Sequence, residues 1–355
     1  MAVGNTHGAF LAMNVGIVGI GFMGMIHYLA YQKVRGARVA AIATRNRKRL
    51  AGDWRGIKGN FGPPGTQMDL SGITPYERWE AMLDDPSIEL VDVCLPPQMH
   101  PAVAIAALEA GKHVLVEKPM ALAVRDARRM MAAARASGRQ LMIAHVLPFF
   151  AEYAYAYKII RSGKYGRMLG GHFKRIIADP SWIKDFFDPN TVGGPVVDLH
   201  IHDAHFIRLA CGMPRAVFST GRLRGEMVEF FESQFLFDDQ QLAVTASGGV
   251  IAQQGRSFTH GFEIYLERAT LVYDFAVIGD QPTLNIPLTV LGPKAQVLRP
   301  KLPEVDAFVA ELTEAVGSAR RNEPSSLLSA EIALDALQLC DRQTQSVRTG
   351  KLVRV

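Results

Sequence analysis

The sequence predicts a two-part α/β chain. A doubly wound parallel sheet comes first, followed by an α+β part on a large, mainly antiparallel, open-faced sheet. Three observations carry this. Over the first 145 residues short β-branched runs alternate with longer helical ones, as right-handed βαβ units require. From 215 to 299 the pattern turns to strand-like runs separated by turn residues. A length of 355 residues exceeds one ordinary core and suits two domains of roughly 150 residues each. We expect them to span 12–146 and 147–355.

The elements follow in order. Residues 14–19 (NVGIVG) read as a buried strand, 22–35 as a helix and 38–43 as a second strand. A Gly/Pro-rich stretch at 56–65 leads to a short helix at 76–84. Strands at 89–95, 113–117 and 140–145 alternate with helices at 101–110 and 122–137, which Gly111 and Gly138 stop. A helix at 149–162, a strand at 168–177, an irregular Asp/Pro/aromatic loop at 178–195 and a helix at 198–210 come next. Strands at 215–221, 228–237, 241–249, 258–266 and 269–275 follow, with FDDQQL (237–242) as a hairpin corner. Helices at 304–320 and 327–345 and a strand at 351–355 close the chain.

Composition excludes several classes. Hydrophobic residues at 48% and charged residues at 21% describe a chain that buries a core rather than a disordered one. Glu117, Lys118, His145 and Pro148 interrupt the longer apolar runs, and none reaches the ~18 residues of a membrane span. Residues 1–13 lack the basic region of a secretory signal. Cys94, Cys211 and Cys340 are odd in number and far apart. That argues against a disulfide framework or a CxxC metal site and fits a cytoplasmic protein. A net charge of +5, from 39 basic and 34 acidic residues, is too mild to argue for nucleic acid.

Gly19-Ile-Gly21-Phe-Met-Gly24 is a GxGxxG. Alone it is weak, but it follows an apolar strand and opens a helix, the context of a dinucleotide loop. Gly19 permits the tight turn, Gly21 admits the pyrophosphate, and Gly24 lets helix and strand pack closely. The phosphates then sit on the helix N-terminus, at Phe22 and Met23. NAD calls for an acidic residue about 20 positions on. That place holds Thr44-Arg45-Asn46-Arg47-Lys48, so Thr44 and Arg45 suit a 2′-phosphate and NADP is expected over NAD.

Read together with later segments, these residues resemble the Gfo/Idh/MocA oxidoreductase family over nearly the whole chain. VGIVGIGFMGMIH (15–27) is similar to its opening strand and glycine loop, including His27. VDVCLPPQMH (91–100) is similar to its fourth-strand segment and Pro…His step. HVLVEKPMAL (113–122) carries its Glu-Lys-Pro signature, and SWIKDFFDPNTVGGPVVDLHIHD (181–203) its Trp loop, glycine run and Asp-x-x-x-His helix. The chain departs from the family pattern at Val192 and His200, where glycines are usual, in the absence of a basic residue from 145–150, and in the longer 56–65 stretch. The resemblance implies cofactor contacts at Leu95, Pro96, His100, Glu117 and Lys118, and a substrate near Lys118, Trp182, Asp198 and His202.

Asp198 and His202 stand four apart at the start of a predicted helix, hence on one face. A carboxylate one turn below an imidazole holds its tautomer and stabilises the imidazolium. His202 then reads as general acid/base, Asp198 as its orienter, and Lys118, past the carboxyl end of a strand, as the group that polarises the reacting oxygen. The resemblance implies the same three catalytic roles. From spacing alone, Asp198 also reads as a helix cap and His202 as a packed histidine. No His-x-x-x-His pair occurs among Asp198, His200, His202, Asp203 and His205, so no metal is expected. Arg175 and Lys184 read as contacts to an anionic substrate or as surface charges, and Trp182, Phe186 and Phe187 as a lid or packing wedge in preference to a sugar-stacking platform.

The expected activity is hydride transfer between a nicotinamide and a secondary alcohol or ketone of a sugar, cyclitol or related polyol. A redox-assisted NAD-dependent glycosidase and a non-catalytic dinucleotide- or sugar-binding regulator of the same fold are the alternatives. An open-faced antiparallel sheet needs a covering surface, so a homodimer or homotetramer is expected, with neither nucleic acid nor membrane as partner.

Overall fold

The computed structural model describes residues 12–59, 61–180, 186–279 and 281–355. The first sheet contains β1 (Met13–Val18), β2 (Ala37–Ala43), β3 (Thr74–Tyr76), β4 (Leu90–Val93), β5 (His113–Glu117) and β6 (Leu141–Ala144). Its order is β3-β2-β1-β4-β5-β6, parallel throughout. The strand order therefore reverses between β1 and β4, the place where doubly wound sheets bind ligands. Every residue of β4, β5 and β6 is buried, as in strands covered on both faces. The connecting helices are α1 (Phe22–Tyr31), α2 (Arg47–Leu50), α3 (Trp79–Leu83), α4 (His100–Glu109) and α5 (Val124–Ser137). Part of the helix expected at 76–84 is strand β3, an edge strand whose Pro75 has no second neighbour to donate to.

After α6 (Ala151–Ser162) the chain enters the second sheet at β7 (Met168–Ala178). A π-helical turn (Val196–His200) leads into α7 (Ile201–Cys211). Strands β8 (Ala216–Arg224), β9 (Met227–Leu236), β10 (Ala243–Ile251), β11 (Arg256–Leu266), β12 (Ala269–Ile278), β13 (Gln281–Leu291) and β14 (Val297–Leu298) follow. Helices α8 (Ala307–Arg321) and α9 (Ala330–Thr349) precede β15 (Val353–Arg354). The nine-strand order is β14-β13-β12-β11-β7-β10-β9-β8-β15, antiparallel except for β7 with β10. Strand β13 is absent from the sequence expectation because Pro282 and Pro287 argue against a strand. Its only long neighbour is β12, so those missing donors cost little.

Helices α7 and α9 pack on each other and on this sheet. Phe218, Leu223, Tyr265, Ile278, Leu284 and Ile286 remain exposed along its strands. Helix α8 returns to the first sheet, where Leu312, Ala315, Val316 and Ala319 share a core with Val15, Ile17, Met25 and Tyr31. Among the described residues no helix is long and apolar enough to cross a membrane.

Candidate active site

The three loop glycines meet three different surroundings. Gly19 has φ +97°, and a Cβ there would lie 2.6 Å from the Cys94 carbonyl oxygen. A Cβ on Gly24 would overlap the Gly19 carbonyl oxygen. One on Gly21 would meet nothing within 4 Å. Gly19 and Gly24 close the loop on the protein, and Gly21 faces open space. The first turn of α1 has neither a side-chain cap nor an acidic residue, so its N–H groups are available to an anion. That cradle fits a dinucleotide pyrophosphate.

Past β2, Arg49 Nη1 donates to the Ile20 carbonyl at 2.6 Å, tying α2 to the glycine loop. Asn46, Lys48, Arg49, Asp53 and Arg55 line an adjoining cleft of about 540 Å³. Arg55 holds Asp53 through two bonds of 2.8 and 3.0 Å, so the only carboxylate of that lining is already engaged. The long stretch after α2 buries Trp54 against Tyr28 and sets Phe61 edge-on against Phe22 at 4.7 Å.

Lys118, at the carboxyl end of β5, reaches the π-helical turn. Its Nζ donates to Asp198 Oδ1 at 3.0 Å and to the Asp198 carbonyl at 2.7 Å. Both side chains keep about a fifth of their surface exposed, 19% and 23%, so the pair faces a solvent-reached site. His202 lies one turn on, with its Nδ1 buried and lacking a hydrogen-bond partner among the described residues. Burial, then the positive charges of Lys118 and Arg175 and the neighbouring His145 and His205, hold its proton affinity well below the usual 6.5. His202 is therefore neutral at pH 7. His145 crosses it at 88° with ring centres 6.1 Å apart and stacks on His205 at 4.0 Å. It too is held neutral, by burial and then by His205 and Lys118.

Two family profiles match this chain: the oxidoreductase family with an NAD-binding Rossmann fold over residues 13–145, and the Gfo/Idh/MocA C-terminal domain over 153–272. The chain belongs to the Gfo/Idh/MocA oxidoreductase family. A 176-residue stretch is 33% identical to levoglucosan dehydrogenase of Pseudarthrobacter phenanthrenivorans, covering 48% of this chain and 43% of that protein. A 201-residue stretch is 30% identical to 1,5-anhydro-D-fructose reductase of Ensifer adhaerens, covering 54% and 59%. The similar stretches thus span about half the length of these curated relatives. A levoglucosan dehydrogenase solved with NADH and levoglucosan superposes with a TM-score of 0.77 at 21% identity, over 97% of this chain and 99% of that one. At that identity the likeness speaks for the fold alone.

This Gfo/Idh/MocA chain brings Lys118, Asp198 and His202 together from distant segments, but with a different pairing from the one the spacing predicts. Among the described residues no hydrogen bond joins Asp198 to His202. The carboxylate goes to the lysine because an ammonium is a stronger partner than a neutral imidazole. Arg175 is neither a surface charge nor poised for substrate. Its Nε and Nη2 donate to Asp203 at 2.7 and 3.2 Å in a nearly dry interior. His200 is buried and accepts from Gln343 at 3.1 Å, with burial pushing it down to about 4. Phe186 is buried edge-on against Phe187, over which Arg224 sits at 4.1 Å, so both pack. Trp182 and Lys184 lie outside the described residues.

The remaining cofactor-side residues are engaged within the protein. The ring nitrogens of His100 lie 2.9 Å from the Pro119 carbonyl and 2.7 Å from that of Leu95, bracing the Leu95-Pro96 turn. Glu117 Oε2 accepts the Lys118 N–H at 3.0 Å. Its Oε1 lies 3.1 Å from His27 Nε2, too oblique for a hydrogen bond. Asp92 and His145 escaped sequence reasoning as site residues, and only the apolar surroundings of Asp92 in VDVCL hinted at a buried charge. His27, Asp92 and Cys94 are the one close group of metal-type ligands among the described residues. The two nitrogens of His27 nevertheless abut carboxylate oxygens at 2.8 and 3.1 Å, the setting of an ion-paired imidazolium.

Proposed function

We propose that this chain is an NAD(P)-dependent dehydrogenase or reductase acting on a secondary alcohol or ketone of a sugar, cyclitol or related polyol. The observation that carries the reading is the meeting of Lys118 and Asp198 at 3.0 Å beside a neutral His202, on the edge of the sheet that also carries the glycine loop. A bound nicotinamide supplies the hydride acceptor or donor. The α1 N–H groups at Phe22 and Met23 would hold the pyrophosphate, for which Gly21 leaves room. Lys118, fixed by Asp198, donates to the reacting oxygen and favours its anionic form. His202, neutral at the outset, takes the hydroxyl proton at a ring nitrogen during oxidation and returns it during reduction. The named relatives act on levoglucosan and 1,5-anhydro-D-fructose, which supports a sugar-like substrate.

NADP is the preferred form in this reading, since Thr44 and Arg45 follow β2 without a carboxylate and Lys48 and Arg55 line the adjoining cleft. The apolar side chains exposed on the second sheet support a homodimer or homotetramer closed over that face. A panel of sugars, cyclitols and sugar acids, offered with each cofactor and followed by absorbance of the reduced nicotinamide, tests the activity. Reduction by at least one of them, faster with NADP, is expected. Retained cofactor with net-neutral turnover marks the glycosidase instead, and binding without turnover marks the regulator.

A further inference from the structure

The catalytic lysine sits in a turn whose neighbours are held by buried histidines. His27, on α1 three residues past the last loop glycine, is fully buried, with Nδ1 2.8 Å from Asp92 Oδ2 and Nε2 3.1 Å from Glu117 Oε1. Glu117 passes that hold to Lys118 by accepting its N–H. On the other side His100 faces the Pro119 carbonyl at 2.9 Å. We infer that His27, through Glu117, is a positioning residue for Lys118, coupling the helix that receives the pyrophosphate to the ammonium that meets the substrate oxygen, with His100 bracing the far side of the same turn. This rests on the dehydrogenase reading above.

The groups facing His27 support a charged ring. They are Asp92 on β4, Cys94 just past its end, Glu117 on β5, Tyr31 on α1 and Glu311 on α8. Burial lowers the proton affinity of His27, but Asp92 and then Cys94 outweigh it and hold it well above 6.5. Glu311 lies wholly buried, with neither carboxyl oxygen hydrogen-bonded among the described residues, and burial raises it well above the usual carboxylate range. It stays protonated, which leaves Asp92 and Glu117 as the charges that the imidazolium balances. The ring thus anchors a carboxylate whose second oxygen fixes the lysine backbone. A direct role of Glu117 in holding the dinucleotide would instead need that carboxylate turned outward.

A double-mutant cycle on the full chain separates these roles. His27→Gln, Glu117→Gln and the double variant are compared by single-turnover hydride transfer, with dinucleotide Kd measured by fluorescence titration. Each single variant is expected to slow transfer about 10- to 100-fold, the scale of a small misplacement. The double variant should be no slower than the worse single one, and Kd should stay within about threefold. Additive losses, unchanged rates, or a loss confined to Kd would overturn the inference. If His27→Gln does not fold, Glu117→Gln decides alone, since the amide keeps the acceptor for the Lys118 N–H. The wild-type protein gives a readout independent of turnover. In ¹⁵N-histidine spectra the ring assigned by its contact with Phe308, 6.3 Å away, should carry both N–H protons at pH 7, where an ordinary imidazole is mostly neutral, and shift when NADP is added. A neutral ring there overturns the proposal even if no substrate is found, whereas a charged, cofactor-responsive ring in a protein that reduces neither NAD nor NADP leaves only the dehydrogenase reading to fail.

Discussion

The two sides of the cleft bury histidines in opposite states. On the cofactor side His27 lies between Asp92 and Glu117 and keeps its proton. On the far side of the cleft His145 and His205 are equally buried and His202 is half-buried. All three are driven neutral, by burial first and then by neighbouring histidines and the cations Lys118, Arg175 and Arg208. Burial opposes charge in both places, so the neighbours decide. Carboxylates overcome burial to make an anchoring cation under the glycine loop, whereas burial, reinforced by nearby cations, leaves the proposed base neutral. The cofactor side also relies on backbone, since its cradle is the space over Gly21. The substrate side relies on side chains brought from several elements.

That division is tested most severely by breaking one side at a time. Gly21→Val fills the open cradle with a branched side chain and is expected to abolish dinucleotide binding while thermal unfolding remains cooperative. Normal binding in calorimetry would mean that the loop is only a turn. His202→Ala should do the reverse, cutting turnover by about 10²–10⁴ with cofactor affinity nearly unchanged. A loss of stability with single-turnover rates preserved would return His202 to the core.

Arg175→Met probes what keeps the substrate side in place. It strands Asp203, which is 1% exposed, and removing one partner of a buried pair costs about 3–5 kcal/mol. Denaturant unfolding reads this directly, and Arg175→Met with Asp203→Leu should recover part of the loss. Arg45→Asp is the mildest change. It should weaken NADP by about 1.5–3 kcal/mol, the scale of a charged hydrogen bond, and NAD by less. Equal losses in paired titrations would remove the basis for the NADP preference.

The contrast also explains what the sequence could reveal. The parallel sheet was legible because β1, β4, β5 and β6 are short apolar runs between helices of ordinary length, and the glycine loop because its residues are contiguous. Lys118, Asp198 and His202 were legible as members of motifs, but their pairing was not. Spacing tells which residues share a helical face, not which partner a carboxylate prefers when a lysine arrives from 80 residues away. The Arg175–Asp203 pair and the His27 cluster join different elements and leave no local pattern. Strand β13 was hidden by prolines that only its neighbourhood makes tolerable.

The neutral base is tested most directly by the acid limb of kcat/KM for alcohol oxidation, which reports the free enzyme. Because His202 is held below its ordinary value of 6.5, the wild-type rate should persist on acidification past pH 6.5 and fall only with a midpoint below it. The limb should vanish from the residual activity of His202→Ala. A wild-type midpoint at or above 6.5, or a limb that survives unchanged in His202→Ala, would contradict the assignment.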